Sequence, residues 1–295
     1  MSKNKNIKLG SENSLNGARW RSNKRLEFID FRLQWDGQIN RSDLTGFFGI
    51  SVPQASLDIA KYKELASNNL SYDRRQKVYI KTGSFKAVFA STDPEYYLSE
   101  LLSLKGNVLD RDRGFINWKP EYDVVPIPKR KVPSTILFVV LNAISKKIVI
   151  DVMYLSKRTL EPTSRRLSPH AIAHDGMRWH VRAYCYRRKE FRDFVIARFL
   201  KVELTNELGM SSCKDTGWNN ILSLELSPNP NLPIPHQKVV ELEYDMSEGV
   251  VEFSCREALL YYVLRILGLP LSQDMSSLDQ QVVLKNHSDL VSYIS

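Results

Sequence analysis

The chain has 295 residues, of which 43% are hydrophobic and 10% aromatic, enough for two or three globular domains with apolar cores. No apolar run approaches the roughly 20 residues that a bilayer-spanning helix needs, and the N-terminus lacks the apolar stretch of a secretory signal. The three cysteines, Cys185, Cys213 and Cys255, are far apart and form no CxxC motif, so we expect no disulfide, no zinc site, no cofactor and a cytoplasmic location.

The net charge of +9 is unevenly distributed along the chain. Residues 1–90 hold 16 Lys and Arg against 8 Asp and Glu, a net charge of +8, and residues 151–200 hold 11 against 5, a net charge of +6. Residues 201–295 hold 6 against 13, a net charge of −7. The two basic blocks predict two sites for anions, and the acidic end predicts a region with another role, such as assembly.

The N-terminal part begins with a polar segment. Residues 1–16 lack apolar periodicity, which predicts a disordered arm. A helix is predicted from Arg19 to Gln34, with apolar residues partly on one side and Gly37 after its end. Arg21 and Lys24 face outward near its start, where they can reach a phosphate backbone.

Residues 41–81 predict two helices joined by a turn and followed by a hairpin, the pattern of a winged helix-turn-helix. Asn40 or Ser42 can cap the first helix, and Gly49 can end it. Ser51 can cap the second helix, whose inward-facing residues recur at i, i+4 and i+7, namely Ala55, Ile59 and Tyr62.

The second helix and the hairpin carry residue types that bind duplex DNA. Gln54 can bind adenine bidentately. The hairpin strands, Leu70–Tyr72 and Lys77–Lys81, enclose Arg74 and Arg75, which suit phosphate contact beside a helix in the major groove. The alternative is a small helical subdomain with a solvated charged hairpin, but the net charge of +8 favours DNA binding. The candidate DNA contacts are Arg21, Lys24, Ser51, Gln54, Ser56, Lys61, Arg74, Arg75 and Lys77.

The middle of the chain changes from helices to strands. One helix is predicted from Pro94 to Leu104, a proline-bearing linker follows, and another helix runs from Pro133 to about Ser145. Asp175-Gly176 is a hairpin turn signal. The predicted strands are Lys147–Leu155, Arg166–Ala173, Met177–Tyr186, Phe191–Phe194 and Ile196–Thr205. Five short strands of this kind predict a bent antiparallel β-barrel of Sm or SH3-like type, and so an α+β fold.

Four prolines between residues 228 and 235 mark the next boundary. Beyond it, strands are predicted at Val239–Tyr244, Val250–Ser254 and Val282–Leu284, with a helix at Arg256–Leu267. These elements predict a small C-terminal α/β module.

The second basic block places arginines, hydroxyl groups and a histidine on neighbouring strands. Arginine binds phosphate bidentately, and hydroxyl and imidazole groups add directional hydrogen bonds, so these strands are a candidate anion site. The alternative is a solvated strand face with ion pairs. The sequence contains no GxSxG, HExxH or P-loop motif, and His170, His174 and His180 have no Cys or Glu close by, so we expect neither an enzyme nor a metal site.

Several segments of this block resemble a WYL domain. They are Tyr154-Leu155-Ser156, Arg166-Leu167-Ser168-Pro169-His170, Arg178-Trp179-His180-Val181-Arg182-Ala183-Tyr184, Phe191-Arg192-Asp193-Phe194 and Ala197-Arg198-Phe199. More closely, the chain beyond residue 17 resembles the WYL regulators that repress bacterial anti-phage defence operons, the BREX- and CBASS-associated repressors of the BrxR and CapW type. Trp179-His180-Val181 stands where the name of the domain gives Trp-Tyr-Leu.

The resemblance implies a homodimer that binds an inverted repeat in its own promoter region, with the WYL domain as the sensor of a nucleic-acid fragment or nucleotide-like ligand. It implies ligand-binding positions at Tyr154, Ser156, Ser168, His170, Arg182, Arg192 and Arg198. The expected organisation is a disordered arm (1–16), a winged helix (17–92), a helical linker (93–132), a WYL domain (133–208), a linker (209–236) and a C-terminal dimerisation module (237–295).

Our leading hypothesis is therefore a dimeric DNA-binding transcriptional repressor, located in the cytoplasm at the nucleoid, without a membrane partner, and relieved when a ligand occupies the WYL domain. The alternative is an RNA- or single-strand-binding accessory factor, because an Sm-like sheet with arginines and aromatic residues can bind single strands. A footprint on duplex promoter DNA distinguishes the two hypotheses.

Overall fold

The computed structural model describes residues 5–105, 114–128, 130–157, 161–269 and 280–294. The chain divides into two units, residues 1–127 and 128–295; the described residues form one apolar core in the first unit and two in the second. Within the described ranges, no helix is long and apolar enough to cross a membrane.

The first unit contains a three-stranded antiparallel sheet, ordered β1-β3-β2, and four helices among its described residues. Its elements are α1 (Lys5–Trp35), β1 (Gln38–Ile39), α2 (Arg41–Phe48), α3 (Val52–Leu65), β2 (Leu70–Asp73), β3 (Val78–Lys81) and α4 (Pro94–Lys105). The predicted pair of helices, the turn between them and the hairpin are confirmed. Their inward-facing residues, Leu44, Ala55, Ile59 and Tyr62, are each at most 2% exposed.

Local sequence explains the helix–turn–helix. Asn40 forms a capping box with Asp43: the Asn40 side chain accepts from the Asp43 N–H at 3.1 Å, and the Asp43 carboxylate accepts from the Asn40 N–H at 2.7 Å. Gly49 ends α2 in the left-handed conformation, at φ +63°, which suits a residue without a Cβ atom. Ser51 then caps α3 by accepting from the Gln54 N–H.

A buried carboxylate joins three parts of this unit. Asp30, in α1, is fully buried, and its Oδ2 accepts from the backbone N–H groups of Val88, Phe89 and Ala90 at 2.7, 2.7 and 2.9 Å. Its Oδ1 accepts from the hydroxyl of Tyr62 in α3. The segment that follows the hairpin is therefore held against α1 and α3 by one residue.

Two predictions for the first unit were wrong. The sequence predicted a disordered arm over residues 1–16, whereas α1 begins at Lys5; residues 1–4 lie outside the described residues. No proline interrupts residues 5–35, and a helix that has begun adds one hydrogen bond for each residue it fixes, so α1 does not need an apolar stripe at its start. The predicted linker 93–132 contributes Leu101, Phe115 and Ile116 to the core.

The second unit begins with α5 (Ser134–Lys146) and a five-stranded antiparallel sheet, ordered β7-β6-β5-β4-β8. The strands are β4 (Ile148–Leu155), β5 (Pro162–His174), β6 (Trp179–Cys185), β7 (Glu190–Val195) and β8 (Phe199–Leu208). Helix α5 packs on one face of the sheet, where Val140 and Ala143 meet Ile150, Leu167 and Val181. Four of the five predicted strands are confirmed, and the fifth, predicted from Ile196 to Thr205, begins at Phe199 after a 3-10 turn and runs to Leu208.

The predicted β-barrel of Sm or SH3-like type is not confirmed. Strands β7 and β8 lie at opposite ends of the hydrogen-bonded order, and in the described part of the sheet no β7–β8 pairing closes the ring. A single 3-10 turn, Ile196–Arg198, connects them and carries the chain to the β4 edge without a hairpin.

The C-terminal module has a three-stranded antiparallel sheet, ordered β10-β9-β11. Its elements, with the short helix before them, are α6 (Thr216–Asn219), β9 (Ile221–Pro228), α7 (Ile234–Glu243), β10 (Val251–Arg256), α8 (Leu260–Ile266), β11 (Val282–Leu284) and α9 (His287–Ile294). The predicted strand Val239–Tyr244 was wrong, because this segment lies in α7. The predicted linker 209–236 was also wrong, since it contains β9, the central strand, whose alternate residues Leu222, Leu224 and Leu226 are buried.

Candidate nucleic-acid interface and ligand cavity

In the first turn of α3, the predicted base-reading residue Gln54 is bonded within its own unit. Its Nε2 donates to Asp58 Oδ1 at 3.2 Å. Arg25 of α1 binds the same carboxylate bidentately, through Nε at 2.6 Å and Nη2 at 3.1 Å, and Asp58 is only 2% exposed. Gln54 must therefore release Asp58 before its whole amide can bind a base.

The outer face of α3 is more apolar than the sequence analysis suggested. Ser56 Oγ donates to the carbonyl of Val52 at 3.0 Å, and Lys61 Nζ donates to Ser22 Oγ of α1 at 2.9 Å. Leu57, 64% exposed, lies on the face opposite the buried residues. Leu57 was not predicted as a contact, although its position two residues from inward-facing Ala55 and from inward-facing Ile59 places it on the outer face.

The turn of the hairpin gathers three of the predicted phosphate contacts. Arg74, Arg75 and Lys77 are exposed there. Asp73 Oδ1 accepts from the N–H groups of Arg75 at 2.7 Å and Gln76 at 3.1 Å, and Lys77 adopts the left-handed conformation at φ +55°. The backbone of the turn is thus fixed, while both arginine side chains extend into solvent.

The two predicted contacts on α1 lie beside the start of α3. Arg21 is exposed, and Lys24 pairs with Glu27 at 2.8 Å. Arg21, Lys24 and Gln54 line a common cavity of about 830 Å³. Five of the other lining residues of this cavity are aromatic, namely Trp20, Phe47, Phe48, Tyr96 and Phe115.

The second unit contains a smaller cavity of about 390 Å³, lined by Tyr154, Ser156, Arg165, Arg188, Arg192, Asp193 and Phe194. Three predicted ligand residues, Tyr154, Ser156 and Arg192, are therefore brought together. Arg165 belongs to the basic block predicted to bind an anion but was not assigned a ligand contact, and Asp193 was missed, although it lies on β7 next to the predicted Arg192. Arg188 was also missed, and its place in the β6–β7 turn gives no periodic signal.

The cavity has a fixed aromatic wall and three cationic side chains. Tyr154 is 6% exposed and its hydroxyl accepts from the Val195 N–H at 3.3 Å. The guanidinium of Arg165 lies over the Tyr154 ring, 5.7 Å from its centroid. Arg192 pairs with Glu190 at 2.9 Å, and this pair is solvent-exposed and weak, so the arginine can readily bind an incoming anion.

The other predicted ligand residues are not among those that line the cavity. Ser168 is 2% exposed and donates to the Met210 carbonyl at 3.4 Å. A β-bulge at His170, after Pro169, redirects this side chain, and its Nε2 lies 2.9 Å from Asp215 Oδ2. Arg198 is half-buried in the 3-10 turn that links β7 to β8.

Arg182 is held by two carboxylates. Its Nε and Nη2 donate to Asp215 at 2.8 and 2.9 Å, and its Nη1 donates to Asp193 at 3.2 Å. Burial acts to lower the pKa of Arg182, but the bonds to Asp215 and Asp193 outweigh it and raise the pKa above its ordinary value. Burial acts to raise the pKa of Asp215, but the bonds from Arg182 and His170 lower it.

The triplet Trp179-His180-Val181, in which His and Val replace Tyr and Leu, does not line the cavity either. Trp179 is 47% exposed and its ring lies against His174, while Val181 is buried in the sheet core. His180 is 3% exposed, and its Nε2 lies 2.9 Å from Asp175 Oδ2. None of the three is among the residues that line the cavity. Across the described ranges, no group of three or more His, Cys, Asp or Glu residues is arranged to hold a metal ion.

Three family models match the chain in the predicted order. Residues 21–103 match the BrxR transcriptional regulator winged helix-turn-helix domain. Residues 135–204 match the WYL domain, and residues 221–290 match the BrxR transcriptional regulator, C-terminal dimerization domain. The predicted winged helix and WYL domain are therefore confirmed, and the C-terminal match includes β9.

Three curated relatives are similar over nearly the whole chain, and each is described as the DNA-binding transcriptional repressor CapW. The protein of Pseudomonas aeruginosa is 44% identical over 94% of this chain and 94% of its own. That of Escherichia coli strain KTE188 is 38% identical over 96% and 95%, and that of Stenotrophomonas maltophilia is 40% identical over 92% and 92%. These matches confirm the prediction of a regulator rather than an enzyme.

Proposed function

The chain belongs to the family of the DNA-binding transcriptional repressor CapW, and we propose that it is a homodimeric repressor of a bacterial anti-phage defence operon, acting at the nucleoid in the cytoplasm. Each winged helix binds one half of an inverted repeat in duplex DNA, and a nucleotide-like ligand in the cavity of the WYL domain relieves repression. The dimer forms through the C-terminal module.

The observation that carries the DNA-binding part is the exposed Arg74–Arg75 turn, which follows α3 in a basic unit. The two guanidinium groups bind phosphates and set the register of the protein on the duplex. Gln54, released from Asp58, reads an adenine at the start of α3. Leu57, exposed on the outer face, contacts a thymine methyl group, which only the major groove presents.

The cavity supports a nucleotide-like ligand in two ways. Its volume of about 390 Å³ lies within the range of pockets that take small ligands. Arg165, Arg188 and Arg192 supply donors for phosphate oxygens, and Asp193 supplies an acceptor for a ribose hydroxyl or an amino group. A sulfate ion has no hydroxyl or amino group to donate to Asp193, so it would use only the three arginines.

A footprint of the full-length protein on its own upstream region tests the proposal. We expect protection of two half-sites one helical turn or a multiple of it apart, because each protomer brings one reading helix. The two DNA strands of the same region, each tested as a single strand, are the control. Tighter binding to either single strand than to the duplex would support the single-strand-binding alternative instead. Protection of one isolated half-site would contradict the dimer.

A further inference from the structure

Asp193 has partners on two sides besides the cavity that it lines. Its Oδ1 accepts from Arg182 Nη1 at 3.2 Å, and its Oδ2 accepts from the hydroxyl of Tyr262 at 3.1 Å. The Asp193 side chain is 11% exposed, so both bonds are largely screened from water. Tyr262 belongs to α8, in the C-terminal module, so this one carboxylate belongs to the ligand cavity and to the contact between sheet and module.

Tyr262 is suited to remain a donor. Burial raises the pKa of its phenol, and the nearby charge of Asp193 raises it further, so the group stays protonated at any ordinary pH. Its ring also packs against His180 of β6, with centroids 5.1 Å apart. On the other side, α8 reaches the module core through Leu260 and Leu264, each 1% exposed. The Tyr262 contact therefore joins a core helix of the module to the sheet.

We propose that Asp193 transmits occupancy of the cavity to α8, an inference that rests on the ligand site proposed above. A phosphate bound by Arg165, Arg188 and Arg192 brings negative charge beside the Asp193 carboxylate, and a ligand hydroxyl or amino group offers it a new donor. Both effects favour a position of the carboxylate in which Oδ2 no longer accepts from Tyr262. Binding then releases α8 from the sheet.

The coupling is reciprocal: if the bound ligand weakens the Tyr262–Asp193 contact by some factor, then the intact contact weakens ligand binding by the same factor. A variant that lacks the Tyr262 hydroxyl has already lost this contact, so the ligand has nothing to break there. Tyr261 provides a matched control, because it is the neighbouring tyrosine on α8 and is 53% exposed, whereas Asp193 accepts from the hydroxyl of Tyr262.

The first measurement uses full-length protein without ligand. Hydrogen exchange by mass spectrometry should be about 10-fold faster in α8 of Tyr262→Phe than in the wild type, since a hydrogen bond to a charged group is lost. Tyr261→Phe should match the wild type. Equal exchange of α8 in Tyr262→Phe and the wild type would overturn the inference while leaving the ligand site and the DNA-binding proposal standing.

The second measurement uses the 5′-phosphorylated dinucleotide pApA as the probe, with calorimetry on the full-length protein. We expect Tyr262→Phe to bind pApA about 3- to 10-fold more tightly than the wild type, and Tyr261→Phe to bind it equally. Unchanged affinity in Tyr262→Phe overturns the inference. Failure of the wild type to bind pApA, or equal binding by Arg165→Ala, overturns the proposed ligand site, and the inference with it.

Discussion

Arg182 and Asp215 form a bidentate ion pair, with Nε and Nη2 of the arginine 2.8 and 2.9 Å from the two carboxylate oxygens. The side chains are 11% and 1% exposed. His170 adds a third contact to the same carboxylate. Arg182 and His170, which were predicted to bind the ligand, therefore hold the start of α6 against the sheet.

This arrangement predicts a large effect on stability. Asp215→Ala should destabilise the second unit by about 3–5 kcal/mol, because the buried guanidinium of Arg182 loses its main partner. Urea unfolding followed by circular dichroism measures the change. Glu190→Ala is the control, since it breaks an exposed pair with Arg192 and should cost less than about 1 kcal/mol. Equal midpoints for the two variants would contradict this role of Asp215.

The second prediction concerns the stability of the fold at acid pH. The pKa values of Asp215 and Asp175 are lowered in the folded chain relative to their ordinary value of 3.8. A lowered pKa means that each carboxylate stabilises the fold above about pH 4, and that this contribution is lost as pH falls towards the folded-state pKa. Thermal unfolding at pH 6 and pH 3 should show a smaller loss of Tm in Asp215→Asn than in the wild type. An identical loss would show that Asp215 does not titrate on unfolding.

The third prediction separates the cavity from the ion-pair network. Arg165→Ala and Arg192→Ala should each weaken binding of pApA by about 10-fold, because each loses a charge-assisted hydrogen bond. Folding and operator binding should remain, while a reporter gene should no longer respond to phage infection. Arg166→Ala is the matched control, since Arg166 pairs with Glu207 outside the cavity lining. If Arg166→Ala weakens binding of pApA equally, the loss reflects the net charge of the domain and not a contact in the cavity.

The fourth prediction concerns DNA. Gln54→Ala and Leu57→Ala should weaken operator binding by about 1–3 kcal/mol and leave non-specific binding unchanged, because each loses a base contact. Gel shifts at several salt concentrations measure both. Replacing Arg74 and Arg75 together by alanine should weaken both kinds of binding and flatten the salt slope by about 2, one for each lost phosphate contact.

Lys201→Ala serves as the control for the salt experiment, since Lys201 lies in the second unit and pairs with Glu203. An unchanged slope in the double arginine variant would exclude the hairpin turn from the interface.

Elements with strong local signals could be predicted from the sequence. The caps at Asn40, Gly49 and Ser51 lie next to the residues they bind, and the strands after Lys147 alternate clearly. Short apolar runs were less informative. Val239–Tyr244 looked like a strand because few residues cannot distinguish a period of 2 from one of 3.6. The prolines at the start of α7, which were interpreted as part of a linker, also fit the first turn of that helix.

The candidate site, too, could be predicted only in part. The residue types that bind anions were recognisable, but their partners were not, because Arg182 and Asp215 are 33 residues apart in the chain. The fold of residues 209–220 brings Asp215 to Arg182, and His170, at the β-bulge, contacts the same carboxylate. Sequence patterns gave no sign that this arginine was already paired, nor that Asp193 faces both the cavity and α8.

Asp30 has a consequence for how the first unit melts. Its carboxylate joins α1, α3 and the backbone at residues 88–90, so none of the three can separate without leaving a buried charge or unbonded N–H groups. Their disruption is therefore one cooperative event, and amides in all three should share a single opening free energy.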